Sequence, residues 1–80
     1  MIPELSAGRK VVGAKQVKRA LRDGRAARLY MAMDADPRLL QPLVQDAVNR
    51  QVPISQAATM KELGMSCGIA VGAAVAVLLK

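Results

Sequence analysis

The residues best equipped for chemistry lie in one stretch, Val12-Gly13-Ala14-Lys15-Gln16-Val17-Lys18-Arg19. A glycine between a short apolar pair and a helical pattern suits a turn that lets the backbone approach a ligand closely. The amides that follow point out of a helix N-terminus, where anions are favoured. Lys15 and Gln16 project from that first turn with donors that suit guanine O6 and N7. Lys18, Arg19 and Arg22 continue the positive track along the next turns at phosphate spacing. The chemistry implied is recognition of a polyanion, not bond-making. An ordinary basic helix in water has the same residues, and spacing alone leaves that reading open.

Catalytic alternatives find little support. The chain has no histidine, which removes His-based acid–base catalysis, histidine-containing triads and most zinc sites. Cys67 has no evident base partner and reads as a small buried hydrophobe. Asp34 and Asp36 are two apart, which suits a turn and a helix cap better than a metal or acid–base pair. The glycines required for a phosphate loop or dinucleotide fold do not follow Gly13. No cofactor or metal is expected, and the protein is not expected to be an enzyme.

Charge points the same way. Residues 1–33 contain eight basic side chains (Arg9, Lys10, Lys15, Lys18, Arg19, Arg22, Arg25, Arg28) and two acidic ones (Glu4, Asp23). The remainder is balanced, four against four, so the whole net charge of +6 lies in the first 33 residues. A one-sided field of this kind favours nucleic acid, although a solvated face that only aids solubility has the same signature.

The elements that must position these residues follow from periodicity. Ile2, Leu5 and Lys10 could decorate a short amphipathic helix over 2–10, and Val11-Val12 reads as a strand entering the turn. From Gly13 to Asp23, Ala14, Val17, Ala20 and Leu21 form an apolar stripe while Lys15, Lys18, Arg19 and Arg22 form a basic one. Gly24 stops that helix as a left-handed cap. Leu29–Met33 reads as a central strand covered on both faces. Asp36 and Pro37 open a helix, and Pro42 suggests a short turn at 37–41 with the main helix starting near Pro42. Val52–Ala57 reads as a third strand, and Thr59-Met60-Lys61-Glu62 as a capping box opening a helix weakened by Gly64 and Gly68. Val71–Leu79 reads as the last strand. The apolar run Ile69–Leu79 has 11 residues, short of the about 20 that span a membrane. Alternating strands and helices give an α/β class, a three-layer α-β-α sandwich with a small mixed four-stranded sheet, in one domain over residues 1–80.

Aromatic content narrows the kind of nucleic acid. Tyr30 is the single aromatic residue and falls in the expected central strand, whereas single-strand readers stack bases on exposed rings. A folded RNA remains, kinked or bulged, because the ordinary A-form major groove is too narrow for a helix.

Three ordered blocks carry a resemblance over about Val11 to Leu79: Gly13-Ala14-Lys15-Gln16-Val17-Lys18-Arg19, Ala32-Met33-Asp34-Ala35-Asp36-Pro37, and Leu63-Gly64 through Cys67-Gly68-Ile69-Ala70-Val71. The chain resembles the L-seven-Ae family of kink-turn RNA-binding ribosomal proteins, and is similar to its short bacterial members of the YbxF and YlxQ type. The resemblance implies a sandwich gripping a kink-turn, a bent RNA with tandem sheared G·A pairs. It implies that Gly13, Lys15 and Gln16 meet guanine edges and that Arg19 meets phosphate. It further implies that Asp36 and Leu40 contact bulged nucleotides, that Lys61 adds a basic contact, and that Ile69-Ala70-Val71 covers the extruded bases. Two departures stand out. Lys15-Gln16 replaces the Asn-Glu usual in archaeal and eukaryotic members, and Ala70 is smaller than the polar residue of several relatives.

The expected partner is structured RNA, with ribosomal RNA or a riboswitch as candidate carriers of the kink-turn and the ribosome as a candidate assembly. A monomer without membrane attachment is expected, and a single cysteine and no secretion signal suggest the cytoplasm. The competing reading is a protein–protein adaptor of the same fold whose basic helix meets an acidic surface. A minimal hydrolase using Asp34 and Asp36 ranks last.

Overall fold

The computed structural model describes residues 2–80. Their order is α1 (Pro3–Ala7), β1 (Lys10–Val12), α2 (Ala14–Arg22), β2 (Ala26–Ala32), α3 (Pro37–Asn49), β3 (Ile54–Ala57), α4 (Met60–Ser66) and β4 (Val75–Leu79). The four strands form one mixed sheet in the order β1-β4-β2-β3, antiparallel except for the β2–β3 pair. Helices α2 and α3 pack together on one face, and α1 and α4 on the other. This is the three-layer α-β-α sandwich expected from the alternating pattern.

Strand alternation distributes the core. Tyr30 turns toward α1, where its hydroxyl donates to Glu4 Oε1 at 2.8 Å. Leu29 pairs with Val77 and Met31 with Val75 on the opposite face, beneath α2 and α3. Helix α2 shows both expected stripes: Val17, Ala20 and Leu21 are buried, and Lys15, Lys18, Arg19 and Arg22 are exposed. Gly24, at φ +70°, closes the helix, with its amide donating to the Leu21 carbonyl and that of Arg25 to Ala20.

Several boundaries differ from expectation. Helix α1 ends at Ala7, and Lys10 belongs to β1 instead of decorating the helix. Strand β2 begins at Ala26, and Met33 lies outside it, exposed. Pro42 does not divide α3, which runs unbroken from Pro37 to Asn49. The carbonyl that Pro42 deprives of a partner belongs to Arg38, and both residues are on the exposed side, where water can satisfy it. Leu40, Leu43 and Ala47 hold the other side against the core. Strand β3 starts at Ile54, just after Pro53, which cannot donate to the ladder.

The largest correction concerns the last strand. Val75, not Val71, is its first residue, and 69–74 form a loop folded over α4. The Ile69 amide donates to the Gly64 carbonyl and the Ala73 amide to that of Met60. These bonds draw residues 69–73 onto the helix, while the Ala74 carbonyl still accepts from Ala32 of β2. No helix among the described residues is long and apolar enough to cross a membrane.

Candidate nucleic-acid interface

Four hydrogen bonds gather three loops at one pole of the sandwich. The Gly13 amide donates to the Val75 carbonyl at 3.1 Å, joining the β1–α2 turn to the start of β4. The Ala32 amide donates to Ala74, tying in the end of β2. Asp34 Oδ1 accepts from the Met60 amide at 2.7 Å, setting the β2–α3 loop against the start of α4. Met60 then accepts from Ala73, completing the circuit. The three sequence blocks separated along the chain therefore share one end of the molecule.

Gly13 is the N-cap of α2 at φ +99° and ψ 149°, a region reserved almost entirely for glycine. A Cβ there would meet no protein atom within 4 Å, so conformation and not crowding requires the glycine. The cap supplies no side chain, and the amides of the first turn keep their outward dipole. Lys15, Gln16, Lys18 and Arg19 are exposed, and so is Lys61 on the first turn of α4. Among the described residues none of these five side chains makes a hydrogen bond or an ion pair within the protein; the three ion pairs lie elsewhere. Donors left free on an open surface are available to a ligand.

The β2–α3 loop is built by its carboxylates. Asp34 holds the α4 N-terminus, while Asp36 caps α3 through the Arg38 amide at 2.9 Å and pairs with the Arg38 guanidinium at 3.2 Å. The Arg38 side chain, hydrogen-bonding with its guanidinium, and the Arg38 amide together hold the Asp36 carboxyl below its ordinary range. Both aspartates thus act as turn and cap. Arg38 itself is 92% exposed beside Asp36, a cation at this pole that the charge pattern did not single out. Its position two residues after an N-cap aspartate was the available signal.

The 69–74 loop lies directly on α4. A Cβ on Gly64 would stand 2.2 Å from the Val71 carbonyl oxygen, so glycine permits the contact. Ala70 is exposed, Ile69 is half-buried, and Val71 is 71% exposed, the most exposed large hydrophobic residue described. An apolar side chain so exposed suits the face of a nucleobase.

Two predicted site residues stand apart. Leu40 is only 8% exposed, with its side chain in the core and along a groove of about 380 Å³ between α3 and the end of β2. A ligand can reach it only through that groove. Arg22 lies at the far end of α2, seven residues or about 10 Å from Lys15 along the helix axis. There Arg50 Nη1 donates to the Arg22 carbonyl at 3.3 Å. Cys67 is buried, and burial pushes its thiol up. No metal-binding cluster occurs among the described residues.

Comparison with known proteins identifies the family. The family model described as the ribosomal protein L7Ae/L30e/S12e/Gadd45 family matches residues 3–80. A protein of Geobacillus sp. (strain WCH70) named as RNA-binding is 41% identical over 76 residues, covering 95% of this chain and 93% of that protein. RNA-binding protein YbxF of Geobacillus stearothermophilus is 40% identical with the same coverage. Among solved structures, the Giardia lamblia 15.5kD RNA binding protein superposes with a TM-score of 0.86 at 26% identity, over 96% of this chain and 65% of the other. On these matches the chain belongs to the ribosomal protein L7Ae/L30e/S12e/Gadd45 family.

Proposed function

We propose that this protein binds RNA at the pole formed by the β1–α2 turn, the β2–α3 loop and the 69–74 loop, and that its target is a kink-turn. The observation that carries the reading is the set of free donors there. Lys15, Gln16, Lys18, Arg19 and Lys61 face solvent without a protein partner, next to an exposed apolar loop. Relatives covering nearly the whole chain are named as RNA-binding proteins, which supports the nucleic-acid reading. The kinked form is favoured because a helix end cannot enter an ordinary A-form groove, and because no exposed aromatic ring is present to stack single-stranded bases.

In this reading Lys15 and Gln16 read guanine edges of the sheared G·A pairs, and the first-turn amides of α2 approach the backbone beside Gly13. Lys18 and Arg19 neutralise phosphates. Val71 covers an extruded base, with Ile69 and Ala70 supporting the loop. Asp36, held by its cap bonds, presents its remaining acceptor capacity to the bulged nucleotides, and Lys61 adds a phosphate contact from α4. Leu40 supports that loop from beneath. The activity is recognition without catalysis, in the cytoplasm, by a monomer that associates with ribosomal or other structured RNA.

Titration of a kink-turn RNA against a fully paired duplex of equal length tests the proposal. Strong preference for the kinked RNA is expected, and Lys15→Ala or Gln16→Ala should each lose about 1–3 kcal/mol of it. Equal binding to both RNAs would refute shape recognition. The adaptor reading has the basic face of α2 meet an acidic protein surface, and the apolar groove beside α3, where Met33 and Val48 are exposed, offers such a partner a further contact. Under that reading the Lys15 and Gln16 substitutions would leave RNA affinity unchanged.

A further inference from the structure

A second set of cations collects at the opposite pole, outside the surface described above. Strands β1, β4 and β2 lie side by side, and their ends bring Arg9, Lys80 and Arg25 together. The Lys80 amide donates to the Arg25 carbonyl at 2.9 Å, and Arg9 Nη2 donates to the Lys80 carbonyl at 2.9 Å. The Gly24 turn joins Arg25 to Arg22, and Arg50 reaches the Arg22 carbonyl from the end of α3. Five cations from four separate chain segments thus form one continuous ridge.

The ridge contains two carboxylates, and both are engaged: Asp23 pairs with Arg22 at 3.6 Å and Asp46 with Arg50 at 2.7 Å. Among side chains a surplus of three positive charges remains. Among the described residues Arg9, Arg25 and Lys80 form no ion pair with an Asp or Glu side chain, and all three are exposed. The exposed large hydrophobics, Met33, Leu39, Val48, Met60, Met65 and Val71, include none from 9–10, 22–25 or 79–80, and Val48, two residues before Arg50, is the nearest in sequence to the ridge. A protein partner normally needs apolar or aromatic anchors at the centre of its footprint, which this ridge lacks. A polyanionic backbone needs cations alone. The basic stripe of α2 runs from Lys15 to Arg22 and connects the two poles over about 10 Å.

We propose that this ridge is a second phosphate-binding surface, which holds the backbone of a double-helical RNA stem extending past the site at the other pole. The proposal rests on RNA binding at that first site. It adds a contact that reads no sequence and responds to stem length.

The test uses the full chain and two kink-turn RNAs, one with a minimal stem and one with the stem extended by roughly one helical turn. Wild type should bind the longer RNA more tightly, with a log–log salt slope steeper by up to about 2–3 for Arg9, Arg25 and Lys80. The double variant Arg25→Gln/Lys80→Gln should lose most of this gain and bind the short RNA as wild type does. Arg25→Glu, which removes the same two units of charge, should also lose most of the gain. Unchanged thermal midpoints show that the variants are folded. Absence of a length effect in wild type, its retention in the variants, or equal loss on both RNAs would overturn the proposal. Discrimination between the short kinked RNA and a short paired duplex reports separately on the first site, so the two failures are distinguishable.

Discussion

Gly64→Ala joins the stability of this fold to the shape of its loop. Within a helix the substitution alone should stabilise by up to about 1 kcal/mol, because alanine is the better helix former. Here the added Cβ would stand 2.2 Å from the Val71 carbonyl oxygen and 3.1 Å from Gly72 Cα, both backbone atoms that cannot rotate aside. Reaching even 3.0 Å requires a retreat of about 0.8 Å by the loop or the helix. The bonds from Ile69 to Gly64 and from Ala73 to Met60 are 3.1 and 3.0 Å, with little length to spare. Overpacking of this kind costs about 1–3 kcal/mol, and a weakened loop bond about 1 kcal/mol more. The net loss is about 1–3 kcal/mol, a fall in Tm of roughly 5–20 °C for a chain of this size. Circular dichroism melts with urea titrations measure it. RNA affinity should fall as well, without a change in salt slope, since the displaced Val71 side chain has no charge. A variant as stable as wild type with unchanged affinity would refute the packing argument.

Other substitutions probe separate links. Gly13→Ala has open space for its methyl group but must adopt φ +99°, so it should lose about 1–3 kcal/mol of stability or RNA affinity by titration. Asp34→Ala frees the Met60 amide and loosens α4, which should cost about 1 kcal/mol in denaturation and weaken RNA binding through Lys61. Burial, then the Glu4 hydrogen bond, push the Tyr30 phenol up to about 12, so the fold favours its neutral form. Stability from this group is full below pH about 10 and declines as pH rises toward 12, and Tyr30→Phe should flatten that alkaline limb in denaturation midpoints. Glu4 is shifted down, first by backbone hydrogen bonding and then by Tyr30, so its contribution is present at neutral pH and lost on acidification.

The helix bearing the proposed site was legible because two stripes of opposite character fall on its two sides and a glycine ends it. The caps at Asp36 and Thr59 were equally legible, since each depends on neighbouring residues alone; the Thr59 side chain accepts from the Glu62 amide, the forward half of the expected capping box. Pro42 misled because its cost depends on where the deprived carbonyl points, and that is set by packing of α3. The continuous apolar run from Ile69 contains no local mark separating loop from strand. What divides it is the surface of α4, through bonds to the Gly64 and Met60 carbonyls. Arg50 escaped notice for a related reason: 28 positions separate it from Arg22, and the fold alone brings them together. Likewise Leu40 has the right helical register for the core, and burial places it behind the surface it was expected to share.

The central claim is that free donors at the start of α2 recognise bent RNA by geometry. It is tested most directly by titrating wild type and Lys15→Ala/Gln16→Ala with a kink-turn and a G·A-disrupted counterpart at two salt concentrations. The account predicts that wild type prefers the intact kink-turn at both salts and that the double variant loses the preference while keeping most of the salt dependence. Equal affinity of wild type for both RNAs, with both falling alike as salt rises, would contradict it.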